Sequence, residues 1–356
     1  RVGGLEKVVL DLCAGLNARG VENHIGCLLE AGEWAGRGDA AGLWVGELGR
    51  RSSGRVLCSL ARYLNREGID VLHTHNSHPH KYGAAIHMLT RVPVVHTKHG
   101  RNWPDNPRWV WLSRQLSRLS AAIVPVSADI ERIVTDIERV PREKVHLIVN
   151  GVDAVRFRPV DETKRAALRR KLGLDPTAFI IGSVGRFSAE KQYPLLVTAF
   201  ARVLAQRNDS CLVLVGDGPA RREIEDTCRA ANCADRVLLT GMQANTAEWL
   251  ACLDVFCLAS DQEGTSITLL EAGAAGIPAV VTNVGGNAEV VAHGETGLVV
   301  PPEDVAGLVR AFRELAADDA RRHALGRAAR ARVRRVYAVD RMVERYLDIY
   351  RDVRKQ

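Results

Sequence analysis

The sequence lacks several features that would narrow its function at once. None of its eight cysteines forms a Cys-x-x-Cys pair. Cys228/Cys233 and Cys252/Cys257 are each five apart. They read as small buried residues rather than as a zinc or redox centre, which suits a reducing cytoplasm. No apolar run approaches the ~18 residues that a membrane-spanning helix needs. No secretory signal is read ahead of the first helix, so a cytoplasmic protein is expected. Aromatic residues make up only 5% of the chain, too few for a surface that stacks bases. The formal charge of +7 is a mild excess, and nucleic acid is not an expected partner. A basic surface facing anionic small molecules or lipid fits better. No repeat of 20 to 50 residues is present. The chain opens at Arg1 with no strand before its first helix. A strand is expected there, so the N-terminus reads as trimmed.

What is present is alternation. Hydrophobic residues form 46% and charged residues 26% of 356 residues, a balance suited to two globular domains. Leu5, Val8, Val9, Leu12 and Leu16 recur at helical spacing up to Gly20, which predicts an opening helix. Strand-like runs follow at IGCLL (25–29), DVLHTH (70–75), PVVHT (93–97), AAIVPV (121–126) and VHLIV (145–149). The second half carries FIIGSVG (179–185), CLVLVG (211–216), RVLLTG (236–241), VFCLAS (255–260), PAVVT (278–282) and GLVVP (297–301). Their near-continuous Val, Ile and Leu content predicts strands buried on both faces of parallel sheets. Strands and helices alternate throughout, which gives an α/β class with two Rossmann-like, doubly wound domains. The cluster NGVDAVRFRPVDE (150–162) marks the boundary. Domains are expected at 1–153 and 154–337, with a C-terminal helix in 338–356 that packs back on the first.

The chemistry concentrates in a few loops. In EGTSITLLEAGAAGIPAVVT (263–282), Glu263 follows a strand and Glu271 lies inside a helix expected from Ser266 to Gly276. About 7.5 Å of helix separates Ser266 from Glu271. The amides of Gly264, Thr265 and Ser266 open that helix, an anion site between two carboxylates that can each hold a diol. A phosphate flanked by sugar hydroxyls is the ligand that suits it. In SVGRFSAEKQYPLL (183–196), Arg186 and Lys191 flank the loop after another buried strand. Guanidinium and ammonium there offer to neutralise a diphosphate without a metal. Gly3 and Gly4 open the first helix, where a backbone can approach the same diphosphate closely. VGDGP (215–219) is one more strand-end turn at the edge of the cleft expected between the domains.

Seven of eleven histidines fall between 73 and 99. HTHNSHPH has the look of a metal cluster. His73 and His75 lie on a buried strand, where side chains alternate between faces. No cysteine or carboxylate joins them locally to complete a zinc set, and no metal site is expected. His99 follows the strand PVVHT at its carboxyl end, where ligand-contacting residues belong.

Taken together these motifs resemble the retaining glycosyltransferases of family 4, which have the GT-B fold. The residues carrying the resemblance are Gly3-Gly4, His99 in HTKHG, NGVD, GRFSAEK, VGDGP, and Glu263 and Glu271 followed by GIPAVVTNVGG. They span nearly the whole chain. The resemblance implies that Arg186 and Lys191 hold the diphosphate of a nucleotide-sugar donor. It implies that Glu263 contacts the transferred sugar, that Glu271 holds the nucleotide ribose, and that His99 lies beside the donor sugar. Retention without an enzymic nucleophile is likewise implied. EGTS stands where EGF or EGL is common, so the sugar contacts beside Glu263 are expected to differ. No Asp-x-Asp is present, the usual metal-binding signature of the other large glycosyltransferase fold. No cofactor is therefore expected.

Other readings of the same residues are a nucleotide-sugar epimerase or phosphorylase on the same fold, a glycosidase using Glu263 and Glu271, and a non-catalytic sugar-binding protein. The acceptor is expected to be a sugar or a lipid-linked alcohol of the cell envelope. Between Val71 and Ala128 the chain holds Lys81, Arg91, Lys98, Arg101, Arg108, Arg114 and Arg118 against Asp105 alone. Within it, NPRWVWLSRQLSRLS (106–120) alternates tryptophans and leucines with arginines. That pattern is expected to lie on an anionic membrane surface, placing the protein on the inner face of the plasma membrane.

Overall fold

A computed structural model of the chain describes residues 3–32, 40–101 and 104–355. The chain divides into two compact units, Arg1–Gly151 with Val339–Gln356, and Val152–Ala338.

The first unit contains α1 (Gly4–Asn17), β1 (His24–Cys27), β2 (Gly42–Val45), α2 (Ser53–Arg66), β3 (Leu72–His75), α3 (Ser77–Thr90), β4 (Val94–Lys98), α4 (Pro107–Arg118), β5 (Ala122–Pro125) and α5 (Ala128–Arg132). β1 and β2 pair in parallel, and β3, β4 and β5 form a parallel sheet in that order. Every residue of β4 and β5 is buried, as expected of strands covered on both faces, and β4 buries His96, Thr97 and Lys98 as well as valines. α5 continues into a π-helical turn, Ile133–Ile137. That turn delivers Glu138 to Lys98, and the two form a buried ion pair.

Two elements depart from expectation. β2 has the sequence GLWV, whose three apolar residues lie between Gly42 and Gly46 and do not signal a strand by pattern. VHLIV is not a strand, although its amides at His146 and Ile148 donate to the carbonyls of Ile123 and Pro125. A parallel ladder would return a bond from the amide of residue 125. Residue 125 is proline and has no N–H, so the pairing stays one-sided.

The second unit contains α6 (Glu162–Lys171), β6 (Phe179–Val184), α7 (Tyr193–Leu204), β7 (Ser210–Val215), α8 (Arg221–Ala230), β8 (Val237–Leu239), α9 (Thr246–Ala251), β9 (Val255–Leu258), α10 (Ile267–Ala274), β10 (Ala279–Thr282), α11 (Asn287–Val290), β11 (Gly297–Val300), α12 (Val305–Ala317) and α13 (Asp319–Val336). All six expected strands form here, in one parallel sheet of order β11-β10-β9-β6-β7-β8. From β6 the chain moves outward through β7 and β8, then returns to β9 on the other side. The strand order therefore reverses between β6 and β9. Open α/β sheets bind ligands beyond the carboxyl ends of the strands at such a reversal.

A buried ion cluster holds the amino end of β9. Asp254 pairs with Arg165 at 2.6 Å and Arg169 at 2.8 Å, and accepts from the amide of Ile180 at 2.7 Å. Burial alone would raise its carboxyl, but the arginines and the amide bring it below its ordinary value.

The last helix, α14 (Val339–Arg354), belongs to the first unit. It buries Met342, Val343, Tyr346, Ile349 and Val353 on one face. Val343 fits against Gly15 of α1, where an added Cβ would lie 2.4 Å from its Cγ2. No helix among the described residues is long and apolar enough to cross a membrane.

Candidate functional site

In the second unit, the loops after β6 and β9 meet at the reversal of strand order. Lys191 Nζ lies 2.5 Å from Glu263 Oε1. The Ser260 hydroxyl donates to the same oxygen at 2.8 Å. The Asp261 amide donates to Glu190 O at 3.0 Å, and Gln192 Nε2 donates to Asp261 Oδ2 at 3.0 Å. The two loops thus form one structure. The side chains of Lys191 and Glu263 are 19% and 9% exposed, so this is not a loosely solvated surface pair. Arg186 is exposed on the same loop. Burial opposes the ionisation of Glu190, but the Ser188 hydroxyl and the charges of Lys191 and Arg186 together hold its carboxyl below the ordinary value.

Neighbouring strands clamp these loops through glycines. Gly216, after β7, has φ +146°, and an added Cβ would lie 1.9 Å from Gly185 O. Gly285, after β10, has φ +50°, and an added Cβ would lie 1.9 Å from Glu263 O. Only glycine fits both the dihedral and the approach. Gly286 N then donates to Gly264 O at 2.8 Å. VGDGP and NVGG therefore support the loops that carry Arg186, Lys191 and Glu263.

α10 begins just beyond Ser266, close to the expected start. Ser266 does not cap it with its side chain, and no acidic residue occupies its first turn. Thr265 and Ser266 are buried at the helix mouth. A helix start left without an acidic side chain favours an anion. Glu271, the fifth residue of α10, is 3% exposed, and its burial excludes the reading of an ordinary surface carboxylate. Glu263, Lys191, Gly264, Thr265 and Ser266 are thus brought to one corner, with Arg186 on the same loop as Lys191.

In the first unit, Gly3 is the extended residue preceding α1 and Gly4 is its first residue, both exposed. His99 directly follows β4. Its Nε2 lies 2.9 Å from His75 Nδ1. Burial pushes the imidazole of His99 down to about 4, so it is neutral at pH 7. The histidine-rich segment divides by face of the sheet, as strand alternation requires. His73, His75 and His99 gather beside Tyr346 and Tyr350 of α14. His80 and His96 stack at 3.6 Å and 6° elsewhere, bonded to Ser120 and Thr74. Among the described residues no group of three or more His, Cys, Asp or Glu is arranged to hold a metal.

α4 differs from an ordinary packed helix. Its only fully buried residue is Ser117. Trp111 is 61% exposed and, with Pro107, Arg108 and Leu112, lines an open groove of about 480 Å³. Lys81 lies 4.3 Å over the Trp109 ring. Two of the basic residues of this region are not free surface charges. Lys98 is buried against Glu138, and Arg114 donates to the carbonyls of Ile137 and Glu138.

Sequence reasoning gave no role to Ser260, Gln192, Gly285 or His75. Gln192, Gly285 and His75 act on neighbours distant in sequence, which no local pattern marks, and Ser260 acts on Glu263 three residues on within its own loop. The glycine pair in NVGG was visible, but its contact with Glu263 was not.

Comparison with known proteins places the chain in a family. The family model for glycosyl transferases group 1 matches residues 164–332, and that for glycosyltransferase family 4 matches residues 2–156. The chain is 30% identical over 300 residues to the N-acetyl-alpha-D-glucosaminyl L-malate synthase of Bacillus anthracis, covering 83% of this chain and 77% of that protein. It is 28% identical over 311 residues to the UDP-Gal:alpha-D-GlcNAc-diphosphoundecaprenol alpha-1,3-galactosyltransferase of Escherichia coli, covering 84% and 79%. Among solved structures, Anabaena HepE in complex with UDP and glucose superposes with a TM-score of 0.87 at 18% identity, over 98% of this chain and 96% of that one. Sucrose-phosphate synthase from Thermosynechococcus elongatus gives 0.85 at 22% identity, over 99% and 94%. With both units matched by family models and the fold shared along nearly its whole length, the chain belongs to family 4 of the glycosyltransferases and has the GT-B fold.

Proposed function

We propose that the protein transfers a sugar from a UDP-sugar to an alcohol acceptor, with retention of anomeric configuration and without a metal. The observation that carries this reading is the Lys191–Glu263 pair at the reversal of the second sheet. It sets a cation for phosphate beside a carboxylate for sugar hydroxyls, next to a helix start. The relatives support UDP as the carrier: one is named for UDP-Gal and HepE was solved with UDP.

In this reading Arg186, Lys191 and the amides of Gly264, Thr265 and Ser266 take the diphosphate. They stabilise the charge that grows on it as the bond to the anomeric carbon breaks. The sugar gains oxocarbenium character, and the acceptor oxygen attacks from the face the diphosphate leaves. Glu263 accepts from sugar hydroxyls and Glu271 from the ribose. His99, neutral at pH 7, serves the donor sugar by hydrogen bonding rather than as a proton source. Arg186, Lys191 and a helix start supply positive charge to the diphosphate, the part a metal would otherwise take.

The acceptor is a membrane-held alcohol presented to the first unit. The exposed Trp111 and the arginines of α4 fit an anionic bilayer surface, and each free cation there contributes about 1 kcal/mol. The protein then works peripherally on the inner face of the plasma membrane. Arg108, Arg118 and Trp111 are the residues to change, because Arg114 is committed to backbone carbonyls. Binding to liposomes should rise with anionic lipid and fall with salt. Loss of all binding in wild type would favour a soluble acceptor.

The donor is tested by thermal shift with UDP-, GDP- and ADP-sugars in excess chelator. UDP-sugars should stabilise the protein, and free UDP should appear once an acceptor is added. Stabilisation that requires a divalent cation, or no release with any acceptor, would count against the proposal.

A further inference from the structure

We infer that His75 is a positioning residue for His99: its Nδ1 holds Nε2 of His99 and leaves Nδ1 of His99 as the nitrogen offered to substrate. The inference rests on the assignment of His99 to the substrate.

The placement follows from the sheet. β3 and β4 are adjacent and parallel, with His75 opposite Thr97. His75 ends β3, and His99 lies one residue beyond β4. Two side chains at neighbouring strand ends therefore meet edge to edge. Their ring centroids are 5.2 Å apart, tilted by 31°, with the nitrogens at 2.9 Å. Merely packed histidines look different in the same unit: His80 and His96 lie flat on each other, each bonded to a hydroxyl. The His75–His99 pair is a nitrogen-to-nitrogen hydrogen bond.

His75 is itself braced. The His73 ring packs on it at 4.1 Å. His73 is held at both nitrogens, by Tyr350 Oη at 2.6 Å and Thr97 Oγ1 at 2.7 Å. Thr97 Oγ1 in turn meets Tyr346 Oη at 2.9 Å. His73 cannot turn without losing two bonds, and it blocks one face of His75. α14, the helix that closes the first unit, thus stiffens a ring two contacts away.

The consequence is chemical. Burial keeps both imidazoles neutral at pH 7. In a neutral pair one nitrogen donates and the other accepts. If His75 donates, His99 carries its proton on Nδ1 and offers a donor. If His75 accepts, His99 offers a bare lone pair. The role of His99 toward a sugar hydroxyl is therefore chosen by its partner.

The test compares His75→Phe with His75→Asn, whose amide can place a polar group near the former Nδ1. His75→Phe should lower kcat roughly tenfold, the worth of one hydrogen bond, with the KM for donor and the affinity for free UDP unchanged. His75→Asn should recover most of that loss. Nitrogen-15 NMR of the imidazoles supplies a readout that does not depend on turnover. His99 should show one tautomer in wild type and a mixture in His75→Phe. A wild-type kcat in His75→Phe, or an unchanged single tautomer, would overturn the inference. A wild-type protein that transfers no sugar refutes the enzymatic reading instead, while the tautomer measurement still decides the pair.

Discussion

Mild acid should unfold the first unit while leaving the second folded. Burial lowers the imidazoles of His73 and His80 to about 3 and that of His99 to about 4. His75 and His96 are lowered too, by burial and by neighbouring histidines. All five lie in the first unit. The ordinary imidazole value is about 6.5, so the unfolded chain takes up protons that the folded unit refuses. Stability from these groups is full above that value and is lost as pH falls toward the folded values. Going from pH 7.5 to 5 removes about 2 kcal/mol for each of His73, His80 and His99, roughly 6 in all. That rivals the whole stability of a typical domain, about 5–15 kcal/mol. Asp254, a buried carboxylate of the second unit, lies below its ordinary value of 3.8. Its contribution is present above that value and fades only in stronger acid.

The assay is urea denaturation at several pH values. Five of the six tryptophans precede residue 152, so fluorescence follows the first unit while far-ultraviolet circular dichroism follows both. The fluorescence transition should move to lower urea below pH 6.5 and separate from a later dichroism transition. Changing His73 to Gln should reduce the dependence of stability on pH by about 1.4 kcal/mol per pH unit. A urea midpoint that stays level from pH 7.5 to 5 would refute the reasoning, as would both units unfolding together.

Three further outcomes follow. Glu263→Gln should tighten free UDP severalfold by releasing Lys191 from its pair, yet abolish most transfer. Glu271→Gln should weaken UDP and UDP-sugar alike, and equal losses of UDP in both variants, by calorimetry, would contradict this division. Asp254→Asn should destabilise the second unit by about 3–5 kcal/mol, because Arg165 and Arg169 would keep buried charge without a counter-charge; an unchanged melting temperature would show the cluster to be dispensable. Gly294→Ala should cost about 1–3 kcal/mol for its positive φ and keep transfer, since nothing lies near its Cβ, whereas Gly285→Ala should cost more, because its Cβ would meet Glu263 O at 1.9 Å, and should lose transfer. Equal activities in the two would remove the proposed support of Glu263.

The second unit was legible because its strands are buried on both faces, and such strands appear as continuous apolar runs. VFCLAS and PAVVT are of this kind, and their ends point directly to the loops carrying Glu263 and Gly285. The first unit was less so. GLWV, whose apolar residues lie between Gly42 and Gly46, carries no strand pattern, and a single proline, Pro125, keeps VHLIV from becoming one. Loop position, spacing and the family resemblance marked Arg186, Lys191, Glu263 and Glu271, the first three in loops after buried strands and Glu271 inside the helix that follows. They did not reveal that Lys191 and Glu263 neutralise each other, since 72 residues separate them. Basic composition also misled: Lys98 counted toward a surface patch in sequence, but the π turn before Glu138 draws it inside. The histidines were visible as a cluster, but only strand register sorts them by face.

The most direct test is calorimetric titration of UDP, in excess chelator, into wild type and into Arg186→Ala and Lys191→Ala. Wild type should bind UDP without a divalent cation. Each substitution should weaken binding by about 1.5–3 kcal/mol, the worth of a charged hydrogen bond. Unchanged affinity in both variants, or no binding to wild type until a divalent cation is restored, would contradict a donor site built from these side chains.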